Sequence, residues 1–178
     1  DVVFEEHPPF FGPPYPYGVG NEDYADNRLR FAFLSRAAIE YFRSRGERPD
    51  VFHAHDWQTG LVPVYLKCFY WDDPALYRSP TLFTIHNLAY QGNFELDTVS
   101  VLGLPWNLAT RDALEYHGGV SYMKGAILFS ESGANRFISD GLIVTTKGKY
   151  TPEHPYLAVA EPGLPGQFPI VVVANPGS

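Results

Sequence analysis

Cysteine is almost missing from this 178-residue chain: Cys68 stands alone, so no intrachain disulfide is available and a reducing compartment is the simpler reading. Methionine is as scarce, and the chain opens on Asp1 with no charged-then-apolar leader behind it. That reads as a fragment or processed product without a signal peptide. Basic residues are outnumbered, 13 Lys and Arg against 20 Asp and Glu, and the formal charge of −7 argues against nucleic acid as a partner. A local basic pocket for a nucleotide diphosphate stays open. No apolar run approaches a bilayer span, so no membrane partner is expected. The chain also lacks a Gly-x-Ser-x-Gly elbow, a phosphate-loop pattern, a Gly-x-Gly-x-x-Gly turn and any internal repeat. Those gaps argue against serine hydrolase and classical nucleotide-loop readings.

What is present is an ordinary globular composition, 45% apolar, long enough for one domain with a sizeable core. Aromatics are abundant, with 13 Phe, 12 Tyr and 3 Trp. Packing accounts for most of them, but sugar sites also use aromatic faces, so the excess leans towards carbohydrate. Residues 8–20, PPFFGPPYPYGVG, predict an ordered loop with exposed aromatics and no regular structure.

A helix is expected from about Asp26 to Arg45, because Leu29, Phe33, Leu34, Ala37, Ala38, Tyr41 and Phe42 recur at helical spacing and Gly46 supplies a stop. A strand over 50–54 then ends in His55-Asp56-Trp57. A short helix over 59–69, with Leu61, Val64, Tyr65 and Leu66 inward, leads to a second strand over 81–85 ending in His86-Asn87. Strand, helix, strand implies a parallel pair in an α/β sheet, whose ligand crevice lies outside the carboxyl ends of the strands. Residues 88–118 read as loop with a short helix or two, and 121–131 as helix. Leu142–Thr146 and Ile170–Ala174 read as short buried strands, separated by a Pro/Gly-rich stretch, 151–169, without periodicity.

The run Val51-Phe-His-Ala-His-Asp-Trp57 interrupts an apolar strand with polar groups. Histidines at a sheet edge are often mere packing, as is Trp57. Asp56 is harder to dismiss, because a carboxylate at that rim needs a partner. His53, His55, Asp56 and His86 are candidate metal ligands, but no Glu or Cys supplies a clear remaining ligand, and no metal is expected.

His53-Ala-His-Asp-Trp-Gln-Thr-Gly-Leu61 followed by Phe83-Thr-Ile-His-Asn-Leu-Ala-Tyr-Gln-Gly92 resembles the glycogen/starch synthase family of glycosyltransferases. Tyr24-Ala-Asp-Asn-Arg-Leu-Arg-Phe31, Arg48-Pro-Asp50 and Val120-Ser-Tyr-Met-Lys-Gly-Ala-Ile127 support the likeness, which runs from about residue 4 to residue 130. The resemblance implies an α/β fold: a Rossmann-like parallel sheet, part of the N-terminal domain of a two-domain glycosyltransferase of the GT-B type. It implies transfer of glucose from ADP-glucose (UDP-glucose being the less favoured donor) to the non-reducing end of an α-1,4-glucan. Transfer would proceed with retention, without metal or other cofactor, through an oxocarbenium-like transition state.

By the same resemblance His86 would hold the donor glucose near its anomeric carbon, its main-chain carbonyl facing developing positive charge. Asn87 would bond a sugar hydroxyl, Asp56 would bond hydroxyls of donor or acceptor, and Trp57 would form an apolar wall. Tyr17 would be the acceptor-side tyrosine, with Tyr15 as the alternative register, and Tyr90 and Gln91 would be loop scaffolding. The family's Lys-x-Gly-Gly-Leu loop and its C-terminal domain do not occur in this sequence, so the chain alone is expected to be inactive. Residues 1–130 are read as a partial catalytic domain and 131–178 as a divergent tail with remaining strands of the same domain. In that tail Val144-Thr-Thr-Lys-Gly-Lys-Tyr150 echoes a family strand after an insertion near 131–140. The rivals are a non-catalytic α-glucan-binding domain derived from that family and a sucrose synthase type of glucosyltransferase. Bacterial cytoplasm is the expected compartment, with plastid stroma second.

Overall fold

The computed structural model describes residues 3, 6–20, 22–130, 141–148, 151–158 and 170–173. Its proline-rich opening is more regular than composition predicts. Pro8–Phe11 form one helical turn, α1, with proline in the first turn, where no amide donor is needed. Phe10 and Phe11 are not fully exposed, because both rings lie against Phe33, at 5.6 and 6.2 Å. Gly18–Val19 (β1) pair antiparallel with Glu22–Asp23 (β2).

Helix α2, Asn27–Arg45, ends where Gly46 enters the left-handed region at φ 63°. The Glu47 amide donates to the Phe42 carbonyl and the Gly46 amide to the Arg43 carbonyl, closing the last turn. The buried face of α2 is rotated from the one its large apolar residues suggest. Phe31, Ala32, Ser35 and Ile39 are buried while Leu29 is 37% exposed. Arg30 shares that buried side, its Nε donating to the Phe10 carbonyl at 2.7 Å, its Nη1 to Asn27 Oδ1 at 3.0 Å, and its Cζ lying 4.6 Å over the Tyr24 ring. One guanidinium thus ties α1 and the segment before α2 to the helix, and its long stem supplies packing as well as charge.

Strand β3, Val51–His55, is followed by a tight turn at 57–59, helix α3, Leu61–Phe69, and strand β4, Thr81–Thr84. In α3 every residue from Leu61 to Leu66 is buried, because the helix lies between α2 and the helix at Tyr122–Phe129. Residues 88–118 depart from expectation. Beside the one-turn helix α4, Thr98–Val101, they hold β5, Asn93–Glu95, and β6, Glu115–Tyr116. Both strands pair antiparallel with β7, Gly119–Ser121, in the order β5-β7-β6. Strands this short carry no readable period, and the β5–β7 ladder joins residues distant in the chain, such as Phe94 and Val120. Helix α5, Tyr122–Phe129, starts with Ser121 Oγ accepting the Lys124 amide.

The last three strands are β8, Gly141–Gly148, β9, Thr151–Ala158, and β10, Ile170–Val173. The strand expected at 142–146 is longer and pairs antiparallel with β9, so the first part of 151–169 is a strand and not an aperiodic connection. The expected insertion at 131–140 and the terminal Asn175-Pro-Gly-Ser178 lie outside the described residues. β10 pairs parallel with β3, giving a central parallel sheet in the order β10-β3-β4, the α/β arrangement expected. The register sets Phe52 against Thr81 and His55 against Thr84. Both strands therefore end at the same rim.

Candidate functional site

Along β3 Phe52 and Ala54 are buried on one face, whereas His53 and His55, two residues apart, share the other face with buried Val51. Their rings lie 4.1 Å apart by centroid. His53 Nε2 sits 2.8 Å from Thr84 Oγ1, and His55 Nδ1 sits 2.9 Å from Nε2 of His86. Burial, reinforced by His55 and His86, pushes the His53 imidazole down to about 4. Burial and then His86 lower His55 as well, against a smaller opposing pull from Asp56. Both rings are therefore neutral near pH 7.

Just past the strand, Asp56 adopts φ 55° and ψ 178°, a backbone conformation almost confined to glycine and costing about 1–3 kcal/mol elsewhere. Its surroundings explain why it persists. The Asp56 amide donates to the Thr84 carbonyl at 2.9 Å, carrying the β3–β4 ladder one residue further. Asp56 Oδ1 accepts the His86 amide at 2.7 Å and the Asn87 amide at 3.3 Å. Thr59, fully buried, closes the turn from the other side, its hydroxyl accepting the His55 amide and donating to the His55 carbonyl, both at 2.7 Å. A buried carboxylate at the end of one strand thus holds the backbone turn at the end of the next. Asn87 completes that turn with Oδ1 accepting the Ala89 amide at 2.9 Å.

Asp56, His86 and Asn87 are therefore brought together at one rim. Asp56 is 6% exposed, while His86 and Asn87 are exposed. Trp57 is placed differently from the sugar-facing wall expected of it. Only 8% exposed, it packs edge-on to Phe31 at 4.7 Å and lies 5.8 Å from Phe94 and 6.4 Å from Tyr17. Gly92, at φ 62°, presses its backbone onto the indole, and a Cβ there would stand 2.4 Å from Trp57 Cε3. That is the physical reason the second motif ends in glycine. Trp57 is an anchor beneath Asp56, buried because its ring is larger than the rim can leave in water without cost.

Tyr17 also turns inward, its hydroxyl accepting from Gln58 Nε2 at 2.9 Å and its carbonyl accepting from Asn27 Nδ2 at 2.8 Å. Tyr15 points out, 57% exposed, over an open depression of about 490 Å³ lined by Tyr17, Val19, Glu22 and Asp23 as well. No rim residue lines that depression. Thr59, Gln58 and Gly92 were not singled out from the sequence as site residues. Thr59 and Gln58 sit inside the first motif and Gly92 closes the second, so motif membership was the signal.

The comparisons with known proteins follow the same segments. Residues 1–133 match the family model described as the starch synthase catalytic domain. The chain is 46% identical over 130 residues to glycogen synthase 2 of Geobacter sulfurreducens, covering 73% of this chain and 27% of that protein. It is 43% identical over 128 residues to the glycogen synthase of Koribacter versatilis, covering 72% and 26% respectively. Among solved structures it resembles the catalytic domain of starch synthase IV from Arabidopsis thaliana bound to ADP and acarbose, with a TM-score of 0.56 and 34% identity. That likeness covers 61% of this chain and 23% of the other. The chain thus spans about a quarter of the length of these relatives, 27% and 26% of the two synthases.

Proposed function

This chain belongs to the family of starch and glycogen synthases, and on that premise we propose that it forms part of a glucosyltransferase acting from ADP-glucose on the non-reducing end of an α-1,4-glucan, with retention. The observation that carries this reading is the hydrogen bond from the His86 amide to Asp56 Oδ1 across adjacent parallel strand ends. It pre-forms a turn at the position where open α/β sheets bind ligands. Transfer of this kind is mainly a matter of positioning and electrostatics, and a turn that needs no reorganisation supplies both.

In this reading Asp56 commits Oδ1 to the turn and offers Oδ2 to a hydroxyl of the glucose or acceptor. His86 contacts the donor sugar, with its carbonyl facing the charge that develops at the anomeric carbon, and Asn87 bonds a further hydroxyl. Trp57 acts from behind, by fixing where Asp56 starts. Tyr17 stays on the acceptor side, and Tyr15, the more exposed ring, offers its face to the glucan. No metal or other cofactor takes part. Residues 1–130 form part of the N-terminal catalytic domain, and a C-terminal domain supplies the rest of the cleft. The parallel pairing of β10 with β3 supports placing the end of the tail in the same sheet. Bacterial cytoplasm is the compartment we favour, in keeping with the bacterial relatives.

The test is a chimaeric synthase in which residues 1–130 replace the matching segment of the Geobacter sulfurreducens glycogen synthase 2. Glucan elongation from ADP-glucose is expected in the parent chimaera. Asp56→Ala and His86→Ala should each lower kcat/KM by about 10²-fold or more, about 2.7 kcal/mol of transition-state stabilisation. Activity within about threefold of the parent in both variants would refute the assigned roles, since lost transition-state contacts cost more than that. Maltooligosaccharide binding with no response to nucleotide sugar would favour a glucan-binding domain instead. The 178-residue chain by itself is expected to elongate no glucan.

A further inference from the structure

His55 meets His86 with nearly parallel ring planes, 11° apart, and with Nδ1 of His55 2.9 Å from Nε2 of His86. With His55 neutral, the two ring nitrogens at that distance share one hydrogen, so one ring donates and the other accepts. The far side of His55 decides which. Its Nε2 is buried and has no hydrogen-bond partner among the described residues. A hydrogen on Nε2 would be an unpaired buried donor, costing about 1–3 kcal/mol. A bare lone pair there is the milder defect, because buried acceptors tolerate under-satisfaction better than buried N–H groups do. The hydrogen of neutral His55 therefore sits on Nδ1 and points at Nε2 of His86.

That leaves His86 with its own hydrogen on Nδ1, on an exposed ring at the rim. We infer that His55 is a positioning residue that sets the tautomer of His86, so that His86 presents Nδ1–H as a donor to an oxygen of the bound glucosyl unit. The groups around the pair hold this state. His53 lies against the His55 ring and bonds Thr84, Thr59 pins the His55 backbone, and Asp56 directs Oδ1 to the His86 and Asn87 amides. Protonating His55 would require an N–H at Nε2 with nothing to receive it, in keeping with the lowered basicity of that ring. The functional half of the inference rests on His86 touching the sugar; the tautomer does not.

The test reads the tautomer directly, by long-range proton–nitrogen correlation spectra of the histidine-labelled 178-residue chain near neutral pH. His86 is expected as the Nδ1–H form. In His55→Phe, which keeps a flat ring but removes the donor, His86 should revert to the Nε2–H form that free imidazole side chains favour in water. His55→Asn places an amide donor close to the former Nδ1 position and should restore Nδ1–H. Finding His86 as Nε2–H in the parent chain would overturn the inference, whether or not a variant folds. An unchanged His86 tautomer in a folded His55→Phe would overturn it too. In the chimaeric synthase, His55→Phe should lower kcat/KM about tenfold, the value of one misdirected hydrogen bond, with His55→Asn recovering most of it. Full activity in His55→Phe would sink the functional half. Because the spectra need no substrate, they stand or fall independently of glucan transfer.

Discussion

Replacing Asp56 separates two effects that most substitutions mix, the hydrogen bonds of the carboxylate and the strain of the backbone beneath it. The carboxylate holds the His86 and Asn87 amides at 2.7 and 3.3 Å. Both residues are exposed, so water replaces much of a lost bond, and losing the pair should cost about 1–3 kcal/mol and not the full burial penalty. The φ of 55° costs any residue with a Cβ about 1–3 kcal/mol, and glycine almost nothing. Asp56→Ala loses the acceptor and keeps the strain. Asp56→Gly also loses the acceptor but is relieved of strain, less about 0.5–1 kcal/mol for the entropy of ordering glycine. Glycine should therefore leave the chain more stable than alanine, by up to about 2.5 kcal/mol and centrally about 1 kcal/mol, the reverse of the order in a helix. Asp56→Asn keeps an oxygen acceptor on the same strained backbone and should lose least. Urea unfolding of the four chains tests the order Asp, Asn, Gly, Ala, and each kcal/mol should move Tm by about 2–4 °C. An alanine variant as stable as the glycine variant would refute the strain, and an asparagine variant as damaged as alanine would refute the hydrogen-bonded turn.

Gly92→Ala should destabilise the chain by about 1–3 kcal/mol and shift tryptophan fluorescence, because the new Cβ meets Trp57 at 2.4 Å on a backbone at φ 62°; unchanged fluorescence and stability would contradict the packing of the indole. The His53 imidazole, held at about 4 in the folded chain against 6.5 when unfolded, makes the unfolded state bind more protons between those values. Stability should therefore be constant on this account above about pH 6.5 and fall as pH drops towards 4, by about 1 kcal/mol between pH 7 and 5 after allowance for solvent screening. His53→Gln should flatten that part of the urea-midpoint profile; an unaltered slope would place its origin elsewhere.

The elements legible in the sequence are those with a local cause. Helix α2 was readable from its spacing and from Gly46, helix α5 from its apolar run, and β3 and β4 from short apolar runs around α3. The rim itself was readable because a carboxylate at the end of an apolar strand needs a partner. The buried face of α2 was less so: Leu29 is exposed and Arg30 buried, since the neighbours of a helix, and not its own composition, choose which stripe is covered. The β5-β7-β6 sheet was not readable at all, because its strands are two or three residues long and β5 meets β7 only from far along the chain.

By itself, then, the order of residues determined the parallel βαβ unit, the rim on which Asp56 and His86 stand, and the family to which both motifs point. Those are properties of short stretches and of their sequence spacing. Tertiary structure alone decided that Asp56 holds the next turn through a strained backbone, that Trp57 lies against Gly92 in the core, and that His55 faces His86. Each of these depends on atoms roughly 30 residues apart in the chain meeting within about one hydrogen bond or one van der Waals contact. No periodicity encodes a meeting of that kind, which exists only once β3 and β4 lie side by side.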